Sequence, residues 1–200
     1  MPKVLIPLAR GCEEMEAVIL IDTLRRAEWE VVAAAIEEGP VRCSRGVRIL
    51  ADTRWQDVDP IEFDLLVIPG GKGGTERLLE APAVIEAVRV FDLADKPIGA
   101  VCAGPLVLDA AGVLTGRRYT SHPAVADEFR DGQRVDVPSV VEDGHIVTSQ
   151  GPGTTFAFAL ALVARWEGHE KAETMAQAMM VDVETLPWRL DRAESDPAGG

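Results

Sequence analysis

The stretch "KPIGAVCAGPLVLDAAG" (Lys96–Gly112) decides the fold. An apolar run, Ile98–Val101, ends in a cysteine. Ala103 and Gly104 follow, small enough for a sharp turn, and Pro105 then opens a helical segment. Gly112 stops that segment. A strand whose successive residues are all apolar is buried on both faces. A buried strand running straight into a helix is the unit of an α/β sheet.

The same alternation continues outward. "KVLIPLA" (Lys3–Ala9), "EVVAAAI" (Glu30–Ile36) and "DLLVIPGG" (Asp64–Gly71) read as buried strands. "EEMEAVILIDTLRRA" (Glu13–Ala27) reads as a helix, with Met15, Val18, Ile19, Ile21 and Leu24 at helical spacing. "APAVIEAVRVFDLAD" (Ala81–Asp95), "TTFAFALALVARWEG" (Thr154–Gly168) and "KAETMAQAMM" are further helices. Arg45–Gly46 and Asp143–Gly144 mark hairpin turns. No linker or repeat divides the chain. The expectation is one doubly wound α/β domain over residues 1–185, with a mostly parallel sheet, and a polar tail over 186–200. In such folds ligands sit at the carboxyl ends of the strands. Three loops fall there: Arg10–Glu16, Gly70–Thr75 and Cys102–Pro105.

Composition narrows the function. Of 200 residues, 47% are apolar, and 20 basic against 33 acidic side chains give a net charge of −13. That charge disfavours binding to nucleic acid or to an anionic membrane surface. No apolar run reaches the length of a spanning helix, and the N-terminus turns polar too soon for a signal peptide, so a cytoplasmic location is expected. Three cysteines and three histidines lie scattered, without disulfide or zinc spacing, so no metal is expected.

Cys102 carries the sharpest signal. Its strand–turn–helix setting matches a nucleophile elbow, and a helix N-terminus favours thiolate. The competing reading is a buried cysteine filling an apolar strand. "PGGKGG" (Pro69–Gly74) and "GPGTTF" (Gly151–Phe156) both miss the spacing of phosphate loops. Glycines after a strand can instead expose amides to an oxyanion. Glu13 and Glu14 read as dipole-complementing, solvated residues at a helix start. Glu16, one turn on among apolar positions, points toward the strand-end crevice. His122 lies in a loop before a helix starting at Pro123, and Cys plus His makes a nucleophile–base hypothesis. His145 and His169 read as surface residues, Cys43 as buried or at an interface, and Cys12 as an exposed second thiol. Arg25, Arg26 and Arg45 are either plain surface charges or candidates for an anion site or a subunit interface.

Taken together, "GCEEMEAVILIDTLRRA", "CSRGV", "VIPGGKGG", "GAVCAGP", "SHP" and "TSQGPGT" resemble the DJ-1/ThiJ/PfpI superfamily, over about Lys3 to Met180. The DJ-1 branch and its bacterial YajL-like members are most similar. The resemblance implies a flavodoxin-like α/β/α sandwich, a homodimer and no cofactor. It implies a reactive Cys102 partnered by Glu16, with His122 nearby, and a substrate pocket at Gly70, Gly71 and Ala103, the amides of Gly71 and Ala103 serving as oxyanion donors. Ala103 stands where PfpI-type proteases carry histidine, which argues against a peptidase. Gln150 and Gly46 follow the bacterial pattern.

Two chemistries follow from the resemblance. One is cofactor-independent glyoxalase action on glyoxal or methylglyoxal, extended to deglycation of protein and nucleotide adducts. The other is a peroxide sensor or chaperone in which Cys102 becomes a sulfinate. Either way, the expected resting state is a Cys102 thiolate beside a protonated Glu16.

Overall fold

A computed structural model describes residues 1–137 and 139–190. Seven strands form one sheet in the order β10-β11-β7-β6-β1-β2-β5. In chain order these are β1 (Lys3–Leu8), β2 (Glu30–Ala35), β5 (Thr53–Arg54), β6 (Leu65–Ile68), β7 (Ile98–Val101), β10 (Val140–Asp143) and β11 (Ile146–Ser149). All pairs are parallel except β10–β11, which closes one edge as an antiparallel hairpin. Two short ladders stand apart: β3 (Val41–Arg42) with β4 (Arg48–Ile49), and β8 (Arg118–Tyr119) with β9 (Gln133–Arg134).

The continuous apolar strands are explained by two cores. Val4, Ile6 and Leu8 of β1, with Leu65 and Val67 of β6, face one side. There they meet α1 (Glu14–Arg26), α5 (Thr155–Glu167) and α6 (His169–Ala178). Leu5, Leu66 and Ile68 face the other side, against α2 (Lys72–Leu79), α3 (Pro82–Leu93) and α4 (Pro105–Ala111). Alternate side chains of each strand thus feed different layers, each built of buried apolar side chains. This is the flavodoxin-like α/β sandwich expected.

Three local readings change. The segment from Lys72 is a helix, not part of a loop. Gly73 and Gly74 depress its helix propensity, but a tertiary contact overrides that. A Cβ on Gly74 would lie 2.6 Å from Cys12 Cα, so the helix start needs glycine to pack there. Pro123–Glu128 winds as a 3-10 helix. In α1 the buried stripe runs through Glu16, Ala17, Leu20, Thr23 and Leu24, leaving Met15 and Val18 outward. The polar tail expected from 186 onward starts on packed residues. Leu186 is fully buried, and the Trp188 indole stacks on His169 and donates to Glu173. Residues 191–200 lie outside the described residues.

Candidate active site

The carboxyl ends of β1, β6 and β7 converge, as the topology requires. After β7, Cys102 adopts a positive φ of 65°. A non-glycine residue there costs about 1–2 kcal/mol. Two backbone bonds hold it: Cys102 N–H donates to Ser149 O at 3.0 Å, and Cys102 O accepts from His122 N–H at 2.9 Å. The turn thrusts the half-buried thiol into a cleft of about 1000 Å³.

Glu16 arrives from α1, fully buried. Glu13 caps that helix by accepting from Glu16 N–H at 2.8 Å. Gly70, at the end of β6, binds both residues. Its N–H donates to Glu16 Oε2 at 2.7 Å and its carbonyl accepts from Glu13 N–H at 3.0 Å. A Cβ on Gly70 would sit 2.6 Å from Cys102 Cβ, so only glycine lets the three strand ends close. The Gly70 amide is therefore committed to Glu16 and is not free for a substrate oxyanion. The amides of Gly71 and Ala103 point at the Cys102 sulfur instead.

The Cys102 thiol and the Glu16 carboxyl are neighbours whose titrations influence each other. Glu16 Oε1 is buried with no hydrogen-bond partner, while Oε2 accepts from the Gly70 amide. Burial pushes Glu16 up to about 7, against the Gly70 amide and the thiol, which favour the carboxylate. Burial and the Glu16 charge push Cys102 up to about 12, outweighing the Gly71 and Ala103 amides. These directions run against the expected thiolate beside an acid: both favour a protonated sulfur next to a carboxyl that titrates near neutrality. A short helix end and two amides do not offset the dry surroundings and the adjacent carboxylate.

His122 lines the same cleft, but its Nδ1 accepts from Ala124 N–H at 3.1 Å. That bond leaves the proton on Nε2. Arg45 is on the cleft wall. Arg25 and Arg26 do not line it. They pair with Asp52 at 2.7 Å and Asp22 at 2.6 Å. Sequence reasoning missed Arg10, Arg42 and Lys72, which line the cleft and whose side chains form no salt bridge among the described residues, although the Arg10 backbone N–H donates to Glu37 Oε2 at 3.1 Å. Arg10 lay within a loop already assigned to the crevice, so its charge was the available signal.

Three further readings are corrected. Glu14 is buried, not solvated. It accepts from Ser44 Oγ and Arg45 N–H, both at 2.8 Å, and so ties the β3–β4 hairpin to α1. Burial alone would raise its pKa, but those donors hold it below the usual carboxylate range. Cys12 is buried, 3.5 Å from the Cys43 sulfur. His145 is buried at the β10–β11 turn, with Nε2 2.8 Å from Asp92 Oδ1.

A doubly wound sandwich with a strained cysteine at an elbow and a buried acid beside it defines a class of cysteine-centred α/β proteins. The DJ-1/PfpI family profile matches residues 2–165, and the chain belongs to that family. It is 38% identical over 182 residues to protein DJ-1 homolog B of Arabidopsis thaliana, covering 90% of this chain and 41% of that one. The chain thus spans less than half the length of that plant relative. It is 36% identical over 178 residues to the glutathione-independent glyoxalase DJR-1.2 of Caenorhabditis elegans, covering 88% of this chain and 94% of that one. The crystal structure of Drosophila melanogaster DJ-1beta superposes with a TM-score of 0.87 at 38% identity, covering 90% of this chain and 98% of the other. Among the described residues no helix is long and apolar enough to cross a membrane.

Proposed function

We propose that the protein is a cofactor-independent cysteine enzyme converting glyoxal or methylglyoxal to the hydroxy acid. The observation that carries this is the half-buried Cys102, open to the cleft, beside the fully buried Glu16 carboxyl. The glyoxalase named among the relatives supports it.

Glu16 as carboxylate takes the Cys102 proton while sulfur attacks the aldehyde carbon. The resulting oxyanion lies near the Gly71 and Ala103 amides and is protonated to a hemithioacetal. Glu16, ionised again, removes the proton from the former aldehyde carbon and returns it to the neighbouring carbon. This leaves a thioester of the hydroxy acid. Water hydrolyses it, releasing lactate or glycolate and restoring the thiol. His122, with its Nε2 proton, orients the carbonyl. Arg45, Arg10 and Lys72 draw polar substrates into the cleft of an otherwise acidic protein. In a methylglyoxal-glycated amino group the former aldehyde carbon is a hemiaminal; the Cys102 sulfur takes the place of the amine, which leaves protonated, so deglycation of proteins and nucleotides is the extension of this reading. Homodimer formation, a cytoplasmic location and a place in the YajL-like branch belong to the same proposal.

A second reading rests on the two amides and the acid around the sulfur. They would receive the oxygens of a Cys102 sulfinate, as in a peroxide sensor or chaperone.

The test is lactate release from methylglyoxal beside intact-mass analysis after peroxide titration. Turnover abolished in Cys102→Ser and in Glu16→Gln supports the enzyme. Turnover surviving Cys102→Ser removes the nucleophile. No turnover with any dicarbonyl, together with two oxygens gained at Cys102, establishes the sensor instead.

A further inference from the structure

Cys12 and Cys43 take no part in the chemistry above, yet their sulfurs meet at 3.5 Å in a buried contact. Cys12 lies in the loop between β1 and α1, and Cys43 directly follows β3. Two backbone bonds flank the pair: Gly11 N–H to Arg42 O and Ser44 N–H to Cys12 O, both 2.8 Å. The backbones are thus already pinned on either side of the thiols. Two small apolar side chains would fill this space equally well. What two sulfurs add is the capacity to bond.

We propose that Cys12 and Cys43 form a reversible disulfide that tethers the β3–β4 hairpin to the loop leading into α1, and so resets the Cys102 cleft under oxidising conditions. A disulfide is about 2.05 Å long, so the sulfurs close by roughly 1.5 Å, shared between side-chain rotation and backbone shift. Both ends of the tether touch the site. Cys43, Ser44 and Arg45 form one wall of the cleft. Cys12 precedes Glu13, whose cap on α1 sets the position of Glu16.

The oxidant class is a hydroperoxide. One thiol attacks the O–O bond, becoming a sulfenic acid and releasing water or an alcohol. The second thiol attacks that sulfur and expels water. The sulfurs lose two electrons in total, the peroxide gains them, and both thiol protons leave in the oxygen products. Cys43 is the entry point, because it lies on the cleft wall. Burial pushes both thiols above their ordinary range, so the pair reacts slowly near neutrality and faster as pH rises. It answers sustained oxidant.

The effect on turnover rests on the proposed enzymatic reading; the disulfide itself does not. Cys102→Ser isolates the pair, leaving two of the three cysteines. After hydrogen peroxide, thiols counted in denaturant should fall from two to none. Cys12 and Cys43 peptides should appear linked, and dithiothreitol should restore both thiols. Cys12→Ala, or Cys43→Ala should the first not fold, should yield no linked peptide. Unlinked thiols, or oxygens gained separately, overturn the proposal. With Cys102 intact, a glutathione redox buffer replaces peroxide. Iodoacetamide alkylation of Cys102 and methylglyoxal kcat/KM are compared in oxidised and reduced buffer. A shift of about threefold or more, absent in Cys12→Ala, is expected. A link that leaves both rates unchanged removes the control of the cleft. A link that alters alkylation without turnover in either buffer refutes the enzyme and leaves the switch standing.

Discussion

The amide of Gly70 donates to Glu16 Oε2 at 2.7 Å, and no side chain fits between them and Cys102. This one glycine joins the acid on α1 to the strand end beside the nucleophile. Gly70→Ala places a carbon 2.6 Å from Cys102 Cβ. The strand ends must part, at a cost of about 1–3 kcal/mol. Urea unfolding should show the loss, and turnover should fall far more than stability because Glu16 is displaced.

Glu16 titrates at about 7, and in the proposed mechanism its carboxylate is the base that receives the thiol proton. The kcat/KM for methylglyoxal should rise with pH through about 7 and then level. Glu16→Gln should lower it by about 10²–10⁴-fold and abolish that limb. An unchanged pH profile in the variant would show that another group is titrating.

The same shift acts on stability. Glu16 rises from 4.5 to about 7 on folding, so the native state holds a proton that the unfolded chain has released. Its contribution is fully present below the unfolded value and is lost as pH rises through the folded one. The loss is of order 3 kcal/mol by the alkaline side. Denaturant unfolding from about pH 4 to about pH 8.5 should show this decline, and Glu16→Gln should flatten it.

Glu14 binds Ser44 Oγ, Arg45 N–H and, at 3.4 Å, Val47 N–H. Glu14→Ala leaves those donors unpaired and should destabilise the chain by about 2 kcal/mol. The freed hairpin should also exchange its amide hydrogens faster between residues 44 and 47. Glu14→Gln, which can still accept, should do less on both counts.

Most of the fold was legible because each strand is apolar on both faces, and only a covered parallel sheet accommodates that. Cys102 was legible from its elbow, and Glu16 from a carboxyl placed among apolar positions. The face of α1 was harder to read. Met15 and Val18 pull the apparent apolar stripe outward, while the buried stripe carries Glu16 and Thr23. The start of α2 was hidden because its glycines serve a contact with Cys12, which is distant in sequence. Glu14, Cys12 and His145 were misplaced for one reason. Each is buried by a partner thirty or more residues away, and local polarity says nothing about such partners. The protonation state of Cys102 depended on the net effect of opposing influences, which residue types alone do not weigh.

The positive φ at Cys102 sets catalytic need against durability. Asparagine tolerates that backbone better than cysteine does. A Cys102→Asn protein should therefore gain about 0.5–1 kcal/mol of unfolding free energy over the native chain, and on the proposed mechanism it should lose all turnover. Backbone stability alone does not favour a cysteine here; the proposed chemistry is what a thiol at this turn supplies.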